Sequence, residues 1–375
     1  MPVTAGRGPA FQSTQPVFFN GYNIRFSQSL VALCGLTWHC GFPLKPIAST
    51  GYKIPLTTAE HFAEKKLHLV PSSPSLSIMA FSRVVIFGLF CVGVLMVGLS
   101  SAATARFDEL FEPTSATDHL LVDGDVLHMK LDSYSGAGFQ SKSKYMFGKV
   151  TAQIKLVEGD SAGTVTAFYM SSDGPKHHEF DFEFLGNTSG EPYLVQTNVY
   201  VNGVGNREER VNLWFDPTKD FHRYSIVWTR SQVLFVVDET PIRVHSNLEA
   251  KGIPFPRDQA MGVYSSIWNA DDWATQGGRV KTDWSHAPFI ASYTGFEIDA
   301  CECPAANAAA ANYTSQCSSS SEKRFWWDEP TVSELSVHQA HQLIWVRANH
   351  MVYNYCVDTA RFPVAPVECQ HRRRP

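Results

Sequence analysis

The sequence predicts an all-β protein, an antiparallel sandwich with a short mixed α/β stretch at its C-terminal end. Three observations predict it. Apolar and polar residues alternate with period two in several runs. Turn-forming residues separate those runs at short intervals. No repeat of fixed period is visible.

Val150, Ala152, Ile154 and Leu156 alternate with Lys149, Thr151, Gln153 and Lys155, the pattern of a half-buried strand. Further on, Val195, Val199 and Val201 share one face of a strand, and Gln196, Asn198 and Tyr200 share the other. Runs over 164–170, 224–228, 233–237 and 263–268 are β-rich. Ser172-Asp173-Gly174-Pro175, Asn202-Gly203 and Gly277-Gly278 read as turns between them. After Asp299 the character changes. Residues 301–321 are rich in Ala, Asn and Ser and read as a surface loop. Thr331-x-x-Glu334 reads as a capping box opening a helix to about Asn349.

The N-terminal part has a different character. Residues 79–105 carry one basic residue, Arg83, then an apolar run over 84–99, then Ala103-Thr104-Ala105. This is the pattern of a secretory signal cleaved before Arg106. The 16-residue apolar run is shorter than the roughly 20 residues of a spanning helix. Residues 1–78 hold 8 of the chain's 21 Pro and show no sustained period. Translation is expected to begin at Met79, with 1–78 an unstructured upstream extension. The alternative is a membrane anchor with a preceding tail. Cleavage after Ala105 leaves 270 residues with five cysteines, which an oxidising compartment can pair.

The 375-residue chain is 44% hydrophobic and 18% charged, which excludes global disorder. With 31 Lys+Arg against 36 Asp+Glu, nucleic-acid binding has no electrostatic support.

The segment richest in chemistry is His177-His178-Glu179-Phe180-Asp181-Phe182-Glu183-Phe184. On a strand, Glu179, Asp181 and Glu183 line one face and the three Phe line the other. Same-face neighbours are only ~7 Å apart, so the carboxylates repel and at least one pKa rises. A charged outer face or a protected sheet edge is the plain reading. The chemical reading is a carboxyl pair for glycoside cleavage, which in a retaining enzyme lies about 5–5.5 Å apart. Residues four apart on a strand are ~13 Å apart, so the side chains must lean over the middle acid or the strand must bend. A metal site at His177, His178 and Glu179 lacks the spacing of any known signature, and no metal or other cofactor is expected.

The E-x-D-x-E strand followed by Phe184-Leu185-Gly186-Asn187 resembles glycoside hydrolase family 16. The segments at 135–150, 155–172, 196–209, 213–228 and 353–356 are similar to plant xyloglucan endotransglucosylase/hydrolases, from about Phe107 to Cys369. The resemblance implies a concanavalin-like β-jelly-roll with an open cleft, a catalytic domain over 106–299 and a disulfide-stapled extension over 300–375. It implies Glu179 as nucleophile, Glu183 as general acid/base and Asp181 as the helper between them. It implies substrate contacts from Gln196, Thr197 and Asn198, from Asn206, Arg207 and Glu208, from Asp272, Trp273 and Gly277, and from Arg361. Plainer readings of these residues are a core Trp, a polar hairpin end at Asn206-Arg207, and a surface pair of Arg361 with Asp358.

By the same resemblance, Cys356 pairs with Cys369, and Cys317 pairs with Cys301 or Cys303, Cys301 fitting the family context better. Asn187-Thr188-Ser189 and Asn312-Tyr313-Thr314 are N-glycosylation sequons, Asn187 where the family often carries a glycan. The family text at the strand is H-D-E-I-D-F-E-F. Here His178 replaces Asp and Phe180 replaces Ile, both at positions facing away from the acids.

The activity implied is a secreted, cell-wall (apoplast) xyloglucan endotransglucosylase, a monomer of one sandwich whose partners are xyloglucan donor and acceptor chains, without stable membrane association. A mixed-linkage β-glucan or xyloglucan hydrolase and a non-catalytic wall-binding lectin are the alternatives.

Overall fold

The computed structural model describes residues 106–303 and 313–371. The upstream extension, the signal segment and Asn312 lie outside the described residues.

Among the described residues fifteen strands form two antiparallel sheets. The strands are β1 (Phe111–Ser115), β2 (Leu120–Asp123), β3 (Val126–Leu131), β4 (Ala137–Ser141), β5 (Lys144–Lys155), β6 (Thr164–Ser171), β7 (Glu179–Leu185) and β8 (Leu194–Tyr200). They continue with β9 (Glu209–Asn212), β10 (His222–Trp228), β11 (Gln232–Val237), β12 (Thr240–Ser246), β13 (Gly262–Asn269), β14 (Phe289–Cys303) and β15 (Met351–Asn354). The eight-stranded sheet has the order β1-β4-β13-β6-β7-β8-β9-β15, and the seven-stranded sheet β12-β11-β10-β5-β14-β3-β2. This is the predicted sandwich.

The core lies between the sheets. Phe180, Phe182 and Phe184 are fully buried on the inner face of β7. They meet Trp228, Tyr224 and Phe235 of the opposite sheet at ring-centroid distances of 4.6–5.9 Å. Each buried Phe contributes on the order of 2–3 kcal/mol, so β7 is anchored by its apolar parity alone. Its other parity is therefore committed to the outer face of the eight-stranded sheet.

The C-terminal segment joins this architecture rather than standing apart. β15 pairs with β9 and extends the eight-stranded sheet at its edge. Trp327 and Val346 enter the main core. The helix α1 (Val337–Asn349) ends where expected but starts later than Thr331. Ser336 is its N-cap, and Ser336 with Gln339 forms the capping box. Pro330–Val332 is instead a separate 3-10 turn, because Pro330 at its first position favours a new start there. The stretch read as a loop from residue 301 also begins later, since β14 continues through Cys303.

Among the described residues two disulfides are present, Cys301–Cys317 and Cys356–Cys369. Cys303 is a buried free thiol. Among the described residues, no helix is long and apolar enough to cross a membrane.

Candidate active site

Register places the chemistry. β7 pairs with β6 and β8 without a bulge, so Glu179, Asp181 and Glu183 face outward beside fixed neighbours. Across β8 these are Tyr200, Asn198 and Gln196 respectively. Across β6 they are Ser171, Tyr169 and Ala167. The continuous ladder means that the acids approach one another by leaning side chains, not through a bulge. Asp181 accordingly lies close enough to feel the charges of both Glu179 and Glu183.

The middle acid is the most enclosed. Asp181 is buried, and its Oδ1 has no hydrogen-bond partner. Burial and the nearby charges of Glu179 and Glu183 hold its pKa well above the ordinary carboxyl value. Glu183 is also raised, chiefly by burial, against the opposing hydrogen bond from Gln196. The Gln196 side-chain amide donates to Glu183 Oε2, and Arg210 Nε donates to Gln196 Oε1 at 2.7 Å. The site thus holds two carboxyls biased toward the neutral form beside Glu179, which is less enclosed than Asp181. That difference in environment suits a division into acid and nucleophile.

His178 and Phe180 do point away from the acids. Phe180 packs edge-on against Trp228 at 5.3 Å, and the β7 ladder stays in register around it. His178 is buried; its Nε2 lies 2.8 Å from Asp258 Oδ1, and its Nδ1 accepts from the Asn202 N–H at 3.1 Å. His177 instead stacks on Tyr200 and reaches Glu179 at 4.0 Å. The two histidines therefore diverge, and His177, His178 and Glu179 do not converge on one point.

The other predicted contacts are placed unequally. Gln196 and Asn198 share the outer face with the acids. Thr197 does not: it is on the core side, where its carbonyl and hydroxyl accept from the buried Arg243 Nη1 at 2.8 and 3.1 Å. The alternation of β8 forces this, since Thr197 pairs with the core residue Phe182. Asn198 Oδ1 accepts from the Arg207 N–H at 3.0 Å. Arg207 Nε reaches Glu368 at 2.6 Å, tying the sheet to the chain end. Arg361 donates to Glu208 at 2.7 and 3.2 Å and to Asn206 Oδ1 at 2.6 Å. Only its backbone N–H goes to Asp358. Asn206, Glu208 and Arg361 thus meet in one polar cluster.

Asp272, Trp273 and Gly277 lie on the loop after β13. Trp273 packs on the small apolar group of Val165, Leu185, Ala270 and Ala274 at the end of the acid-bearing face. Thr275 anchors this loop: its hydroxyl donates to Gly186 O at 2.7 Å and accepts from Gly163 N at 2.8 Å. Gly186 directly follows β7, and a Cβ there would lie 2.0 Å from Ser161 O, so only glycine allows this approach. Asn187 follows at once, with its side-chain amide 3.1 Å from Pro192 O.

Sequence reasoning did not single out Tyr169, Tyr264, Trp268, Arg210 or Tyr353. Tyr169 and Tyr264 stack at 5.2 Å on the outer face, and Trp268 shares their side of β13. Arg210 lies under the Tyr353 ring of β15 at 5.5 Å. Strand parity gives the side of each, but which strands are neighbours is a property of the sheet order.

Residues 107–286 match the family model of glycosyl hydrolases family 16, and residues 321–369 match that of the xyloglucan endo-transglycosylase (XET) C-terminus. Xyloglucan endotransglucosylase protein 6 of Diospyros kaki is 78% identical over 273 residues, 73% of this chain and 91% of that protein. The chain belongs to the xyloglucan endotransglucosylase/hydrolase family. A second family member, xyloglucan endotransglucosylase/hydrolase protein 9 of Arabidopsis thaliana, is 69% identical over 287 residues, 76% of this chain and 97% of that protein. Both segments matched by the family models meet at the site, since β9 belongs to the first and β15 to the second.

Proposed function

We propose that the chain is a secreted enzyme of the plant cell wall and apoplast that cuts the β-1,4-glucan backbone of xyloglucan and rejoins it to another xyloglucan chain. The observation that carries this reading is the outward row Glu179, Asp181 and Glu183, with Gln196 bonded to Glu183, in a chain of this family. Glu179 attacks the anomeric carbon while Glu183 gives its proton to the leaving glycosidic oxygen. The bond to the leaving chain breaks as the Glu179–glucosyl ester forms. Glu183, now ionised, takes the proton of an incoming sugar hydroxyl, which displaces Glu179 with overall retention. Asp181, between the two glutamates and with its proton affinity raised by burial and by their charges, is the helper that orients Glu179.

The outer-face aromatics Tyr169, Tyr264 and Trp268 offer flat surfaces for sugar rings. Asp272, Trp273 and Gly277 border the same face, and Asn206, Glu208 and Arg361 form its far polar edge. Arg207 contributes by holding that edge to the chain end. Asn187 and Asn312 are the proposed glycan attachment points. The protein acts as a monomer.

The test mixes the secreted protein with xyloglucan and a labelled xyloglucan oligosaccharide, with Glu179→Ala as control. Label entering polymer with wild type alone supports transfer. New reducing ends without label transfer would replace it with hydrolysis, and binding without turnover in both proteins would replace it with a lectin role.

A further inference from the structure

One row of cross-strand neighbours runs from the middle of the eight-stranded sheet to its edge. Glu183 on β7 lies opposite Gln196 on β8, Gln196 opposite Arg210 on β9, and Arg210 opposite Tyr353 on β15. Directly opposed side chains sit roughly 5 Å apart, so register alone lines up these four. They touch in sequence. Gln196 donates to Glu183, Arg210 Nε donates to Gln196 Oε1 at 2.7 Å, and the Arg210 guanidinium lies 5.5 Å from the centroid of the Tyr353 ring. The Tyr353 hydroxyl donates to Asp358 at 2.8 Å and accepts from Arg361 at 3.4 Å. The row therefore begins at the carboxyl and ends in the C-terminal segment.

The direction of these bonds has chemical content. A glutamine amide can present either its oxygen or its NH2 group, whereas arginine only donates. Arg210 therefore fixes the Gln196 oxygen on its own side, and the NH2 group must face Glu183. That group can only donate, so it favours an ionised Glu183 and offers nothing to a carboxylic O–H.

We propose that Arg210 and Tyr353 are positioning residues for Glu183: by locking the Gln196 amide in its donating orientation, they let the C-terminal segment set the proton affinity of the acid/base. This rests on the reading of Glu183 given above. The charged and titratable groups around Glu183 are Glu179 and Asp181 on β7, Tyr200 on β8, Arg210 on β9, Glu208 beside it, and Tyr169 on β6 next to the facing Ala167. Burial, Glu179 and Glu208 favour the neutral form, and Gln196 and Arg210 oppose them. The first chemical step needs Glu183 protonated and the second needs it ionised, so an intermediate affinity serves both. Loss of Arg210 removes a positive charge and frees the amide to turn its oxygen toward a protonated Glu183. Both changes raise the affinity.

The test is the pH profile of kcat/KM for label transfer by the full-length secreted protein, with folding followed by thermal melting. Arg210→Gln should move the basic limb upward by about one pH unit. Arg210→Lys, which still donates and carries charge, should restore part of that shift. Tyr353→Leu should move the limb in the same direction by less, and Tyr353→Phe, which keeps the ring, should bring it back toward wild type. A purely structural role would lower the melting point and leave the limb in place. An unmoved limb in Arg210→Gln, with Glu183→Gln inactive, overturns the proposal and leaves the role of Glu183 intact. Retained transfer with the same basic limb in Glu183→Gln overturns the reading beneath it. Should Arg210→Gln not be secreted, an unmoved limb in both Arg210→Lys and Tyr353→Leu overturns the proposal equally.

Discussion

Arg361 grips Glu208 with two guanidinium hydrogen bonds, at 2.7 and 3.2 Å, across 153 residues of sequence. The pair joins the C-terminal segment to the edge of the acid-bearing sheet, and the fork geometry is one that lysine cannot reproduce. Because Arg361 is more than a third exposed, solvent screening limits the pair to about 0.5–1 kcal/mol. Arg361→Lys and Glu208→Gln should each lower stability by about that amount, and the double variant should lose less than the sum. Urea titrations of the four proteins give this coupling; strict additivity would show that the pair is only a geometric coincidence.

A second pair lies on the opposite face. Arg243 and Glu209 approach to 3.6 Å, each only 1% exposed, between the two sheets. Arg243 also lies over Phe235 and Tyr355, at 5.6 and 6.0 Å. Removing one partner strands a buried charge, so Arg243→Met or Glu209→Gln should each cost about 3–5 kcal/mol. The midpoint of denaturant unfolding reads this directly, and a cost comparable to that of a surface pair would contradict it.

Cys303 is buried, and burial with the nearby Glu302 pushes its thiol up to about 11. A protonated, inaccessible thiol is a poor nucleophile. In the native protein the Cys303 peptide should stay unmodified by iodoacetamide at neutral pH and become alkylated in denaturant without reductant. Peptide mapping distinguishes the two states. Modification in the native protein would mean that β14 opens at its end.

The raised carboxyls also predict a pH dependence of stability. Asp181 and Glu183 hold protons more tightly in the folded protein than in the unfolded chain, whose carboxyls titrate near about 4. Their contribution is complete below that value and is lost as pH rises through the folded pKa values. Melting temperature should therefore fall less steeply with rising pH in Asp181→Asn than in wild type. Parallel melting curves against pH for the two proteins would rule this out.

Much of the site was legible because strands have period two. The parity of Glu179, Asp181 and Glu183 against three Phe placed the acids outward, and Gln196 and Asn198 followed by the same rule. The rule also puts Thr197 on the core side, against the contact that family resemblance suggested for it. Tyr169, Tyr264 and Arg210 reach the site only through strand order, which no local pattern encodes. Arg243 is hidden for another reason. A charged residue in a strand reads as solvent-facing, and its burial depends on Glu209 and Thr197 from distant segments. The helix starts later than Thr331-x-x-Glu334 suggests, because Ser336-x-x-Gln339 offers a similar capping signal and Pro330 claims the first for a separate turn.

The central claim is that Glu179 forms the bond to the sugar. An activated 2-fluoro glycoside of a xyloglucan oligosaccharide slows the breakdown of that bond and lets it accumulate. Proteolysis and mass spectrometry of the trapped protein should place the adduct on Glu179. An adduct on Asp181 or Glu183, or turnover of xyloglucan by Glu179→Ala, would contradict the account.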